Sequence, residues 1–281
     1  MFSSMSIYLI IPAAPPLLDV LKPLNKSRER LLLCEAEYGV DIKEYYYYVL
    51  LHQCITCTVI TSVLICTDTL YMVSVQHGCA LFATVGYHLR TAHKLLASSI
   101  EIRENKKKDS FYAEKDGRYF LTSDNRAKIY KKLVACIQGH NRAIRYRNIL
   151  ESSFSTPVFI QILLSLICMS VTGVQTVLKF GDRNAVMRFG SYILAQTTHL
   201  FFLCLPGQWM ISHSDNMYID ACQTDWYYFP PESKALYRFI LMRAVKTSNL
   251  TAMNFIILSM ETFVSVVQTA MSYFTVLSSV Q

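Results

Sequence analysis

Leu250 to Gln281 reads LTAMNFIILSMETFVSVVQTAMSYFTVLSSVQ. From Thr262 to Gln281 it contains 20 residues without an Asp, Glu, Lys or Arg. At 1.5 Å rise per residue they make a helix of about 30 Å, the thickness of a bilayer's hydrocarbon core. The stretch is therefore expected to end inside or just across a membrane. Its polar residues Ser265, Gln268, Thr269, Ser272, Thr275 and Ser279 recur every three to four positions. That period puts them on one stripe, opposite Phe263, Val267, Ala270 and Phe274. Two readings of the stripe stay open at this point: hydroxyl-rich packing of one helix on another, or the wall of a water-filled path.

Composition bounds the rest. Hydrophobic residues make up 52% of the 281 positions and charged residues only 17%, and the mean hydropathy is positive. With the apolar positions gathered into long runs, this is the pattern of an all-α, polytopic membrane helix bundle. The net charge of +7 does not point to nucleic acid, because the basic residues lie in segments beside the apolar runs, where membrane topology accounts for them. Nine cysteines, mostly within apolar runs, do not read as an extracellular disulfide framework. Cys54-Ile55-Thr56-Cys57 matches C-x-x-C with His52 nearby, but a redox or zinc site needs a loop or strand-helix junction and not the middle of an apolar helix. No Ser-His-Asp pattern, H-E-x-x-H or Gly-rich phosphate loop is present, so neither catalysis nor a cofactor or metal is expected.

In chain order, Met1 to Leu18 is apolar but cut by Pro12, Pro15 and Pro16, too short to span before the first proline. It reads as the tail of a membrane helix, residues 1–15. A signal peptide is the competing reading, weakened by the lack of a basic leading segment and of a small-x-small cleavage site. Asp19 to Glu44 is polar, reads as a loop and carries the glycosylation sequon Asn25-Lys26-Ser27. Tyr45 to Leu89 is 45 residues with a single full charge, Asp68. Around Asp68 there is no Gly, Pro or turn dipeptide, so one long helix is expected, crossing the membrane and running several turns beyond it. Arg90 to Leu150 holds 15 Lys/Arg against 6 Asp/Glu and reads as a solvated cytoplasmic loop with helix extensions. Ser152 to Leu178 and Phe189 to Ser214 are 27 and 26 residues free of Asp, Glu, Lys and Arg. They are two further spans, the first with Pro157 near its first turn, the second bent or ended by Pro206-Gly207. Trp226 to Pro231 reads as an interfacial aromatic belt beside a helix stop, and residues 250–281 as the last helix.

Counting Lys and Arg orients these spans. Residues 12–44 and 179–188 carry 8 between them, and residues 88–150 and 213–249 carry 19. The positive-inside rule makes the second pair cytoplasmic, and Asn25 and the C-terminus extracellular. A transporter is the alternative class, but it should show paired intramembrane acids or broken helices. Only Asp68 and Glu261 qualify, both near expected cytoplasmic ends of spans.

Several motifs carry a resemblance. Gln76-His77-Gly78-Cys79-Ala80-Leu81-Phe82 followed by Gly86-Tyr87-His88-Leu89 resembles the H-x-C-x-L-F...Y-x-L signature at the end of the fourth helix of insect odorant receptors. Ser272-Tyr273-Phe274-Thr275-Val276-Leu277 is similar to that family's C-terminal S-Y-F-T-x-L motif. Asp225-Trp226-Tyr227 with Pro230-Pro231, Leu241-Met242-Arg243 and Leu258-Ser259-x-Glu261-Thr262-Phe263 resemble its region between the sixth and seventh helices. The resemblance runs in order from about Pro15 to the end. It implies a seven-helix, inverted-topology subunit of a ligand-gated, non-selective cation channel that detects volatile or contact chemicals. Such subunits sit in the plasma membrane of sensory-neuron dendrites and assemble as a heterotetramer with a co-receptor. A gustatory-receptor-like channel subunit is the near alternative.

On this resemblance, residues 45–89, 152–178, 189–214 and 250–281 correspond to the family's fourth to seventh helices. Residues 1–15 would then be a remnant of the third, leaving the chain N-terminally truncated relative to the family. The family's odorant pocket draws on its second, third, fourth and sixth helices, which here singles out the i, i+4 pairs Tyr48 and His52, and Tyr192 and Gln196. The family's pore gate maps onto Val276, with Ser279 and Val280 one turn further out.

Overall fold

The computed structural model describes residues 32, 33, 38, 39, 44–107, 123–179, 181 and 183–279; for 92–107, 123–125, 183, 184, 228, 277 and 278 only the backbone is described. The expected remnant at 1–15, the Asn25 sequon, Val280 and Gln281 lie outside those residues. Five α-helices and one small hairpin make up the described chain: α1 (Tyr46–Lys107), α2 (Ser123–Leu178), α3 (Arg183–Cys222), a 3-10 turn (Trp226–Tyr228), α4 (Pro231–Ala244), β1 (Thr251–Ala252), β2 (Ile256–Ile257) and α5 (Met260–Ser279).

Among the described residues two helices, Tyr46–Thr91 and Arg126–Leu178, are long and apolar enough to cross a membrane. Only 11% of the most apolar window of the first is buried within the protein. Its Val59, Ile60, Val63 and Leu70 are exposed; such a surface is stable against lipid and not against water. The single helix expected through Asp68 is found: the ladder is unbroken from Tyr46 onward.

Helix boundaries elsewhere depart from the sequence reading. α1 runs to Lys107 and α2 starts at Ser123, so most of the expected loop at 90–150 is helical. Pro157 then sits deep inside α2 and Pro206 inside α3, which continues to Cys222. The last helix starts at Met260 and not at Leu250. Residues 251–257 form an antiparallel hairpin pairing Thr251 with Ile257 and Ala252 with Ile256. Met253 and Asn254 both take positive φ, 52° and 60°, and Phe255 N–H donates to Ala252 O at 3.1 Å; this is the primed turn that matches strand twist. Ser259 then caps α5, its Oγ accepting from Thr262 N–H at 3.3 Å, with Glu261 in the positive first turn.

The chain divides into two compact units. The first takes the described residues up to Tyr71, Ile162–Phe202 and those from Ser265 onward; the second takes Met72–Gln161 and Leu203–Val264. The second unit explains why helices persist where the sequence is charged. α1 buries Val75, Cys79, Phe82, Val85 and Leu89, α2 buries Ile129, Leu133 and Cys136, and α3 buries Met210 and Met217. These are three- and four-residue spacings on α1 and α2 and one of seven on α3, so one narrow stripe per helix faces the core. Each large buried side chain contributes about 1.5–3 kcal/mol. The His77-to-Leu89 motif supplies that stripe. Gly78 lets Met210 Cε come within 2.7 Å of where a Cβ would stand, and His77 stacks edge-on against Tyr146 at 5.0 Å.

Polar ties hold the same unit. Arg90 pairs with Asp220 at 2.9 Å, Tyr146 donates to Ser74 O at 3.1 Å, and Glu151 takes both Arg147 and Thr251. The expected interfacial aromatic belt instead packs inward in part. Phe229 is buried, Trp226 stacks on Tyr237 at 6.3 Å and 13°, and Tyr227 is exposed. Tyr237 donates to Ala221 O at 2.7 Å. Burial pushes its phenol up to about 12, so it stays a neutral donor there.

Candidate ligand cavity and polar helix face

All of the described candidate site residues fall in the first unit. On α1, Tyr48 is 75% exposed and its ring lies tilted against Tyr45 at 6.4 Å. His52, one turn on, is exposed, with Nδ1 3.4 Å from the Tyr38 hydroxyl and the two rings edge to face at 5.9 Å. On α3, Tyr192 lines a cavity of about 660 Å³. Gln196, on the same face, donates from Nε2 to Ser165 Oγ of α2 at 3.2 Å. Of the four, only Tyr192 is among the residues lining this cavity.

The cavity is lined by the C-terminal turns of α2, the N-terminal turns of α3 and Leu33. Leu33 is fixed by its own backbone, its N–H donating to Gln53 Oε1 at 3.1 Å in a buried contact. On these α2 turns Ile167 and Val171, one turn apart, are exposed, and Met169 and Ser170 are buried.

Sequence reasoning singled out Asp68 but missed its partner. Asp68 Oδ2 of α1 lies 2.9 Å from His199 Nε2 of α3, with side-chain exposures of 24% and 9%. An acid and an imidazole within apolar helices are costly unless they meet. The signal was present in the sequence as an acid and a histidine inside two runs otherwise free of Asp, Glu, Lys and Arg, but they are 131 positions apart and nothing local joins them.

On α5 the polar stripe is outward. Ser265, Gln268, Thr269, Ser272, Thr275 and Ser279 are all exposed. Their hydroxyls bond back along the helix: Thr269 to Ser265 O at 2.7 Å, Ser272 to Gln268 O at 2.9 Å, Thr275 to Ser272 O at 2.8 Å and Ser279 to Val276 O at 2.8 Å. Each O–H proton is thereby spent on the backbone, and the hydroxyl oxygen presents lone pairs outward. Val276 is 59% exposed on the same helix. The opposite side packs on α2, where a Cβ on Gly173 would meet Phe274 Cδ2 at 3.0 Å.

Long helices with exposed apolar surface, tied by polar contacts between helices and ending in a hydroxyl-lined helix, define a helical membrane bundle. The family model for the seven-transmembrane odorant receptors, described as 7tm Odorant receptor, matches residues 3–271, and the chain belongs to that family. It is 27% identical over 154 residues to odorant receptor 2a of Drosophila melanogaster, covering 54% of this chain and 39% of that one. To the odorant receptor coreceptor of Ooceraea biroi it is 20% identical over 157 residues, covering 56% and 33%. The fold is that of the insect olfactory receptor OR5 from Machilis hrabei solved with eugenol. The TM-score there is 0.68 at 14% identity, over 100% of this chain and 63% of that one. The alignments span well under half the length of these curated relatives, and the chain under two thirds of the solved receptor.

Proposed function

We propose that this chain is a subunit of an odorant-gated, non-selective cation channel, working with a co-receptor in a heterotetramer in the plasma membrane of a sensory neuron. The observation that carries this reading is the exposed row of back-bonded hydroxyls on α5. An outward row of oxygen acceptors suits cations and hydrates a path for them, whereas a lipid-facing helix gains nothing from it. Val276 is the constriction, since an apolar ring closes a narrow neck by dewetting, and Ser279 and Val280 form the outer mouth. Tyr48, His52, Tyr192 and Gln196 face the odorant, Tyr192 and Gln196 from α3 and the other two from α1. Asn25 and the C-terminus are extracellular.

Substitution on the pore helix tests the reading. In the full-length receptor expressed with its co-receptor, Val276→Ser is expected to raise resting conductance or alter ion selectivity. Ser279→Cys is expected to become reactive to charged thiol reagents applied from outside. Unchanged currents together with a protected thiol in open channels would assign the stripe to helix packing. Orientation has its own test. A glycosylation tag after Gln281 is expected to be modified and one inserted at Lys107 is not, and the opposite pattern would invert the topology.

A further inference from the structure

Phe255, at 84%, is the most exposed large apolar side chain among the described residues, and it stands at the tip of the hairpin ahead of α5 with Met253 and Ile257 exposed beside it. The tip is held firmly. Met253 N–H donates to Ser155 Oγ at 2.6 Å, Thr156 Oγ1 donates to Met253 Sδ at 3.4 Å, and Thr251 bonds Glu151, so three residues of α2 fix it. The positive φ of Met253 is uncommon for a side chain of that size and persists where the surroundings over-determine it. Phe255 N–H goes to Ala252 O and Leu258 N–H to Leu250 O. These backbone donors are satisfied within the hairpin, as a turn leaving bulk water requires.

The residues that hold the hairpin also set its level. Glu151 is the last charged residue before the uncharged run from Ser152 to Leu178, and Ser155 and Thr156 stand at the start of that run. After the hairpin, α5 opens at Met260 and its own uncharged run begins at Thr262. Between Lys246 and Glu261 there is no Asp, Glu, Lys or Arg. The tip therefore lies where two segments pass from charged to uncharged sequence, which in a membrane bundle is the level of the bilayer surface.

We propose that this hairpin is a lipid anchor, with Phe255, Met253 and Ile257 inserted into the interfacial layer of the phospholipid bilayer beside the start of α5. Large apolar side chains facing water at that level gain free energy by entering the headgroup and acyl boundary. Lipid suits the tip better than a protein partner does. Three side chains on a hairpin of two-residue strands fall far short of the about 800 Å² per partner of a stable protein interface. Ser259, which caps α5, follows directly, so the anchor fixes where the last helix enters the bilayer. The proposal rests on the membrane bundle and not on the channel reading, so each can fail without the other.

The test is fluorescence quenching of the full-length receptor in neutral phosphatidylcholine nanodiscs, with Phe255→Trp adding a reporter to the background of Trp209 and Trp226. Tyr87, 63% exposed on α1 in a stretch flanked by His88 and Arg90, gives the control Tyr87→Trp. The emission added by Phe255→Trp is expected to be blue-shifted and protected from aqueous iodide. Lipid brominated at the top of its acyl chains should quench it more than lipid brominated near their ends. The emission added by Tyr87→Trp should be quenched by iodide and by neither lipid. Met253→Ser with Ile257→Ser, in the Phe255→Trp background, should weaken the lipid quenching roughly twofold or more, since two of the three apolar groups are gone. Circular dichroism should report unchanged helix content in every variant. Iodide access equal to that of the control, stronger quenching from the chain ends, or lipid quenching undiminished in the double serine variant would overturn the proposal. Emission shielded from both iodide and brominated lipid once co-receptor is present would assign the tip to a subunit contact and overturn it likewise.

Discussion

Gly207→Ala is expected to destabilise the protein by about 3 kcal/mol, through overpacking that no side chain can relieve. A Cβ at Gly207 would stand 2.2 Å from the backbone oxygen of Leu258, 2.5 Å from its Cβ and 2.8 Å from its carbonyl carbon. The obstacle is main chain, and that main chain is fixed: Leu258 N–H donates to Leu250 O at 2.9 Å, and Met260 N–H donates to Gln208 Oε1 at 3.2 Å. Moving Leu258 aside would break the junction that starts α5. Two other glycines serve as controls. Gly190→Ala has nothing within 4 Å and should be neutral or stabilising by about 0.5–1 kcal/mol, the ordinary helix preference for Ala. Gly78→Ala meets first the mobile end of Met210 and should fall between the two. The measurement is the thermal midpoint of detergent-solubilised receptor together with the yield of monodisperse protein. A Gly207→Ala variant as stable as Gly190→Ala would refute the close approach.

The second large effect is expected at the Asp68–His199 pair. Replacing one partner leaves the other without its 2.9 Å contact, in a segment flanked by lipid-exposed apolar residues. Leaving a polar group of this partly buried contact without its partner typically costs about 1–3 kcal/mol, whereas replacing both partners with apolar groups of similar shape is often nearly neutral. His199→Leu and Asp68→Leu should each lower the thermal midpoint and surface expression strongly, and the double Leu variant should recover a large part of both losses. The diagnostic quantity is the interaction term of the double-mutant cycle, which isolates the pair from other changes. Simple additivity of the two single losses would show that the pair contributes no coupling.

These effects differ in how far the sequence anticipates them. The uncharged runs at 152–178, 189–214 and 262–281, the single helix through Asp68, the motifs of the receptor family and the hydroxyl stripe on the last helix are all legible without coordinates. Each depends on apolar content, turn chemistry or periodicity within one local window, and a helix satisfies its own backbone in a way that such windows report. Tyr192 with Gln196 is likewise readable as a one-turn pair, because i, i+4 spacing alone puts two side chains on one face.

What the windows do not contain is the neighbour. Pro206-Gly207 reads locally as a bend, yet α3 continues through it, and the glycine is there because Leu258, 51 positions on, lies against it. Residues 90–150 read as a charged loop with helix extensions, and the helices run through 90–107 and 123–150; within them Ile129, Leu133 and Cys136 bury one narrow stripe that a count of charges conceals. Residues 250–259 read as the start of the last helix, yet Met253 and Asn254 turn a hairpin tied through Met253 N–H to Ser155 and through Thr251 to Glu151. Asp68 is visible as an anomaly, but only the packing of α1 on α3 supplies His199, and only the approach of the α2 and α3 ends brings Lys179, Arg188 and Phe189 to one cavity. Local sequence settles that the long uncharged runs are helical and which of their faces are apolar, since those follow from backbone hydrogen bonding and the helical repeat. Which residues meet was decided by tertiary packing, because close approach and charge pairing depend on groups far away in the chain.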